Sequence, residues 1–139
     1  MKKPKLIRIT TVPVSMNIIL KGQLGFMNQF FEVIGVTGYD EKHYEDVLKR
    51  EQIQMESIEM ARTISPIIDL VSLWKLYCFF KNEKPDIVHT HTPKAGLIGM
   101  IAGFFARVPV RVHTVAGIPW METSGVLRNF YKINIYLCN

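Results

Sequence analysis

The sequence predicts an α/β fold in three layers, αβα, with helices on both faces of a mainly parallel sheet. Short runs rich in β-branched and aliphatic residues alternate with longer helical patterns along the chain. The run at residues 6–12 is rich in apolar and β-branched residues, as suits a strand covered on both faces. Residues 86–99, DIVHTHTPKAGLIG, pack a strand, a turn and a helix start into one passage, the unit from which right-handed βαβ crossovers are built.

Taken in order, residues 6–12 form the first strand, stopped at Pro13. A dinucleotide-binding turn would place GxGxxG directly afterwards, but the turn here is Val12-Pro13-Val14-Ser15-Met16-Asn17 and the first glycine is Gly22. An NAD or FAD site is therefore not expected. Ser15 or Asn17 caps a helix running to about Gln29, with Leu20, Leu24 and Met27 on one stripe. Gly22 and Gly25, one turn apart, suit close packing of that helix. Residues 31–37 form the second strand, residues 39–50 a polar segment with a helical tail, and residues 54–60 a short third strand. Ser65-Pro66 opens a helix whose Ile67, Leu70, Val71, Trp74, Tyr77 and Cys78 form an apolar stripe, with Trp74 expected in the core.

In the central unit the two-residue period puts Ile87, His89 and His91 on one face of a strand and Val88 and Thr90 on the other. Thr92 stands at a helix N-cap and Pro93 at the first helical position, and residues 96–107 continue as an apolar helix. Residues 110–115 make the next strand, with Arg111 and His113 on one face. A loop follows at Gly117, and then a last helix carries Leu127, Phe130, Tyr131, Leu137 and Cys138. That helix has no glycine cap and no strand after it, so residue 139 reads as a truncation point.

At 139 residues the chain, 1–139, matches one domain with a sizeable core. Its 48% hydrophobic and 21% charged residues exclude a disordered chain. The net charge of +5 favours anionic partners without choosing among phosphorylated metabolites, lipid headgroups and nucleic acid. Nucleic acid is not expected, because no recognisable module or interleaving of aromatic and basic residues is present. Cys78 and Cys138 lack CxxC spacing and read as reduced core thiols of a cytoplasmic protein. The longest apolar run, residues 95–106, falls short of the roughly 20 residues that span a bilayer. With no signal peptide expected either, membrane contact is expected to be peripheral.

His89, His91 and His113, with Thr92, Lys94 and the Gly117 loop, are expected to converge at the carboxyl edge of neighbouring strands. Three readings stay open: hydrogen-bonded core or edge histidines, a metal site using the HxH pair, or anion recognition at a helix N-terminus assisted by Lys94. A cation beside the pair and the lack of a nearby carboxylate weigh against metal, while charge and fold both favour an anion. GxSxG and GxxxxGK[ST] are absent, which argues against serine-hydrolase and P-loop chemistry.

The block KPDIVHTHTPKAGLIGMIAGFFARVPVRVHTVAGIPW, with the loop and helix SMNIILKGQLGFM, resembles the N-terminal half of bacterial family 4 glycosyltransferases of capsule and exopolysaccharide assembly. The resemblance implies the Rossmann-like first domain of a GT-B fold, which binds the acceptor, with a C-terminal nucleotide-sugar-binding domain absent from this chain. It implies retaining transfer from a nucleotide-sugar to a saccharide or polyprenyl-diphosphate-linked acceptor, with no metal or other cofactor, at the cytoplasmic face of an anionic membrane. By position, Pro13, Ser15 and Asn17 would line the cleft, and His91, Thr92, Lys94 and Gly117 would face acceptor or phosphate. Many relatives carry His-Gly after the fifth strand where this chain has Ala116-Gly117, which removes a contact to the reacting sugar. The alternatives from other classes are a metal-dependent hydrolase and a non-enzymatic flavodoxin-like binding domain.

Overall fold

The computed structural model describes residues 2–63 and 65–115, and in it five strands form one parallel sheet. These are β1 (Lys5–Ile9), β2 (Glu32–Thr37), β3 (Gln54–Ser57), β4 (Ile87–Thr90) and β5 (Val110–His113), in the order β3-β2-β1-β4-β5. Five helices connect them: α1 (Pro13–Ile19), α2 (Gln23–Met27), α3 (Glu41–Glu51), α4 (Pro66–Glu83) and α5 (Pro93–Ala106). Parallel pairing follows from those connections, since a chain that leaves the carboxyl end of one strand returns through a helix to the amino end of the next. The chain runs outward one way from β1 to β3 and the other way from β4 to β5. The sheet therefore has a topological switch point between β1 and β4.

Strand composition follows burial. β1 and β2 lie inside the sheet and bury Leu6, Ile7, Ile9, Val33, Ile34 and Val36, hence their wealth of aliphatic residues. The edge strand β3 reads Gln-Met-Glu-Ser because much of it is exposed. One face of the sheet packs Ile7, Ile9, Ile34, Val36 and Val88 against Leu76 and Phe80 of α4 and Ile98 and Met100 of α5. The other packs Leu6 and Val33 against Met16, Leu20, Leu24 and Val47 beneath α1, α2 and α3. The expected three-layer α/β architecture is what the chain adopts.

Several elements differ from expectation for physical reasons. The helix expected to run to Gln29 is two helices, because Gly22 takes φ +75°, a left-handed conformation that ends α1 and opens α2. The amides of Gly22 and Gly25 both donate to the buried Glu51 carboxylate, at 2.8 and 2.9 Å. Burial pushes that carboxyl's pKa up, but the Gly25 amide, the Arg50 guanidinium and the Gly22 amide outweigh it and hold it below its ordinary value. The polar segment after β2 is helical from Glu41, with Asp40 accepting from the amide of His43 at 2.6 Å as an N-cap.

The largest correction concerns α4. The face it buries is Ser72, Leu76 and Phe80, so Trp74 is 65% exposed and Cys78 is exposed rather than a core thiol. The helix is apolar nearly all round, leaving periodicity nothing with which to choose a side. Ser72 is tolerated inside because its hydroxyl donates to the carbonyls of Glu59 and Ile68, at 2.5 and 2.7 Å. The Gly117 loop, the last helix and Cys138 lie outside the described residues.

Candidate functional site

The loops that leave the carboxyl ends of β1 and β4 meet at the switch point, where open α/β sheets bind ligands. The amide of Thr11 donates to Oγ1 of Thr92 at 3.0 Å, and the two hydroxyls lie 2.6 Å apart. Thr92 does occupy the N-cap position of α5, but its side chain caps no helical amide because it ties these two loops together. Next to it, the hydroxyl of Thr10 donates to the carbonyl of Val12 at 3.1 Å and lies 3.2 Å from that of Thr37. A cleft of about 620 Å³ opens along this rim between the loops after β1, β2 and β3, lined by Thr11, Pro13, Gly38, Tyr39, Glu59 and Arg62 among others.

Beneath the rim lies a buried polar cluster. His89 and His91 share a face as the strand period requires, with ring centroids 4.1 Å apart. Arg8, only 3% exposed, donates from Nε to Nε2 of His91 at 2.8 Å, from Nη2 to Oε1 of Gln23 at 3.3 Å and from Nη1 toward the sulfur of Met27 at 2.9 Å. These three acceptors are all neutral. An arginine only donates, so His91 accepts at Nε2 and carries its single proton on Nδ1. Burial first, then His89, Arg8 and His113, push the pKa of His91 down to about 3. Burial, Arg8 and His113 push that of His89 down to about 4, and its Nε2 lies 2.7 Å from the hydroxyl of Thr114. Both rings are neutral at physiological pH. Arg8 was not expected at the site, although it is the only charge in the apolar run LIRITTV.

The three histidines do not converge. β5 pairs His113 with Thr90, so His113 lies on the opposite face of the sheet from His89 and His91. Its Nδ1 is 2.8 Å from Oγ1 of Thr90, and its ring fills the space a side chain at Gly96 would need. Among the described residues no group of three or more His, Cys, Asp or Glu side chains could hold a metal ion.

Lys94 sits in the first turn of α5, but its ammonium reaches into the fold and pairs with Oδ2 of Asp69 on α4 at 2.6 Å. The lysine side chain is 9% exposed, and Oδ1 of Asp69 is buried with no hydrogen-bond partner. The side-chain carbonyl of Asn17 accepts from Arg50, which also donates to the Asn17 carbonyl at 3.1 Å, fastening α1 to α3. Ser15 is half-buried on α1 and outside the cleft lining, and Gly117 lies outside the described residues.

A parallel α/β domain with an open cleft at the carboxyl ends of its strands is the class that fold and rim define. The chain belongs to the glycosyl transferase 4-like family, whose model matches residues 19–139. It is 36% identical over 128 residues to the Staphylococcus aureus capsular polysaccharide biosynthesis glycosyltransferase CapM, covering 90% of this chain and 32% of that protein. A stretch of 65 residues is 50% identical to the Escherichia coli UDP-Gal:alpha-D-GlcNAc-diphosphoundecaprenol alpha-1,3-galactosyltransferase, covering 47% of this chain and 17% of that one. Among solved structures, a putative UDP-N-acetylglucosamine 2-epimerase from Listeria monocytogenes superposes with TM-score 0.70 at 19% identity, over 99% of this chain and 37% of that one. Anabaena HepE in complex with UDP and glucose gives 0.68 at 16%, over 98% and 36%. At such identities the structural likeness is one of fold. The chain spans about a third of the length of CapM and of these two structures.

Proposed function

We propose that this chain is the acceptor-binding half of a retaining GT-B glycosyltransferase that moves a sugar from a nucleotide-sugar onto a saccharide or polyprenyl-diphosphate-linked acceptor. Family membership over residues 19–139, joined to an open cleft over the carboxyl ends of β1, β2 and β3, carries the reading. The name of the Escherichia coli relative supplies the acceptor class, and HepE, solved with UDP and glucose, supplies the donor class. In this reading a second Rossmann-like domain binds the donor, no metal is required, and the protein works at the cytoplasmic face of the membrane. Pro13 lines the acceptor side of the cleft, Ser15 stands behind it, and Asn17 holds α1 in place through Arg50. Thr92 fixes the spacing of the two rim loops. His91, a neutral ring held by Arg8 beneath the rim, supports the loop after β4 from below, and Lys94 acts on the site through its pair with Asp69, which fixes the first turn of α5. The expected result with the full-length protein is release of the nucleoside diphosphate only when a nucleotide-sugar and a sugar-diphosphoundecaprenol acceptor are both present, unchanged by EDTA. No release across a panel of nucleotide-sugars and acceptors would overturn the reading.

A further inference from the structure

One wall of the cleft is the loop that leaves β2, and it is fastened from two sides. The amide of Gly38 donates to the carbonyl of Thr11 in the loop after β1 at 3.4 Å, and that of Tyr39 donates to Oε1 of Glu59 beyond β3 at 2.9 Å. A Cβ at Gly38 would stand 3.2 Å from the Glu59 carboxylate and 3.3 Å from the Thr11 carbonyl, so glycine lets the loop lie this close. The Tyr39 ring leans on Tyr44 of α3, with centroids 5.2 Å apart, and is still 54% exposed on the cleft lining. A held aromatic face that opens on a cleft is a stacking platform ordered before any ligand arrives. Beside it, Oδ1 of Asp40 accepts from both the amide and Nδ1 of His43, at 2.6 and 3.0 Å. A carboxylate only accepts, so the neutral ring carries its proton on Nδ1 and keeps a bare lone pair on Nε2. Among the described residues nothing bonds to that Nε2, and His43 lines the cleft. The charges narrow the ligand. Asp40, Glu41 and Glu59 face Lys42 and Arg62 across this lining, a balance that attracts no anion. A sugar ring has the complementary chemistry, with one face of C–H bonds and a rim of hydroxyls.

We propose that Tyr39 and His43 form a saccharide subsite for an uncharged sugar ring of the acceptor, its C–H face stacked on Tyr39 and one hydroxyl donating to Nε2 of His43. Asp40 and Glu59 are positioning residues, one fixing the His43 ring and the other the Tyr39 backbone. This deepens the glycosyl-transfer reading and rests on it for the class of ligand. The test is a binding measurement on the full-length protein. Isothermal titration uses short-chain alkyl diphosphates that carry glucose, galactose, N-acetylglucosamine or N-acetylgalactosamine, with the bare alkyl diphosphate as control. For the sugar that binds best, Tyr39→Ser is expected to weaken binding about tenfold and Tyr39→Phe by less than about twofold. His43→Ala should weaken it about fivefold, and His43→Gln, which returns an acceptor near the Nε2 position, should regain most of that. Binding of the bare alkyl diphosphate should be the same in every variant. Both side chains are partly exposed, so circular dichroism should be unchanged. The proposal is overturned if no sugar-bearing probe binds, if Tyr39→Ser and His43→Ala bind as wild type, or if they weaken the bare diphosphate equally. Transfer from a panel of nucleotide-sugars is measured alongside. Sugar binding that the variants lose, with no transfer by wild type, would remove the enzymatic reading and leave the subsite standing. Transfer whose acceptor KM is unmoved by Tyr39→Ser and His43→Ala would do the reverse.

Discussion

His89 and His91 are kept neutral by burial and by the cation beside them, and this makes stability depend on pH. In the unfolded chain both take up a proton below about pH 6.5. In the fold they do so only near 4 and 3, so between those limits the unfolded state binds more protons and stability falls as pH falls. Thermal melts from pH 7 to pH 5 should register a loss on the order of 2–3 kcal/mol, and His91→Gln should flatten that slope by about half. The Lys94–Asp69 pair gives a second prediction. Lys94→Ala leaves a mostly buried carboxylate, already short of one partner, without its counter-charge, and should cost about 2 kcal/mol in urea denaturation, less than a fully buried pair because Asp69 is 23% exposed. Lys94→Met with Asp69→Leu should recover most of that. If the double variant of the full-length enzyme turns over like wild type, Lys94 has no role at the phosphate. None of this partnering was legible locally: 25 residues separate Lys94 from Asp69, and 83 separate Arg8 from His91. A pattern of spacing reports a face: it put His89 and His91 together, but it could not name the partners of Arg8 and Lys94.

The strands were legible because two-sided burial demands the β-branched runs seen in β1 and β2, and α5 because Thr92-Pro93 opens it and an apolar run follows. Where the pattern was uniform it said nothing about direction, and α4 was turned the wrong way. Two glycines show how differently one substitution acts within an element. At Gly22 nothing lies within 4 Å of an added Cβ, so Gly22→Ala costs only the left-handed backbone, about 1 kcal/mol. At Gly99 an added Cβ would stand 2.7 Å from the methyl of Thr90, with Ile9 also in contact. Gly99→Ala should therefore push α5 off β4 and cost about 1–3 kcal/mol, and Thr90→Ser, which removes that methyl and keeps the hydroxyl, should restore much of it. Chemical denaturation of the four proteins checks both values.

For the molecule as a whole, the parallel α/β class was readable from the βαβ alternation and the family from the block around residues 86–99, while the strand order that creates the switch point was not. The cleft was not, since it is shaped by the loops after β2 and β3, whose residues Tyr39, Glu59 and Arg62 carry no local signature. Because the chain spans about a third of CapM, we predict that it binds an acceptor analogue but transfers no sugar alone, with isothermal titration and a nucleotide-release assay as the measurements. The strand order has a further consequence during synthesis. β1 sits between β2 and β4, and its second neighbour pairs Leu6 with Ile87 and Ile9 with Thr90. At roughly 5–20 residues per second, a ribosome that has finished β2 needs several more seconds to deliver β4. Through that interval the nascent chain holds β1 with one ladder unfilled, which makes the first-made segment among the last to be secured and the stage most in need of a chaperone.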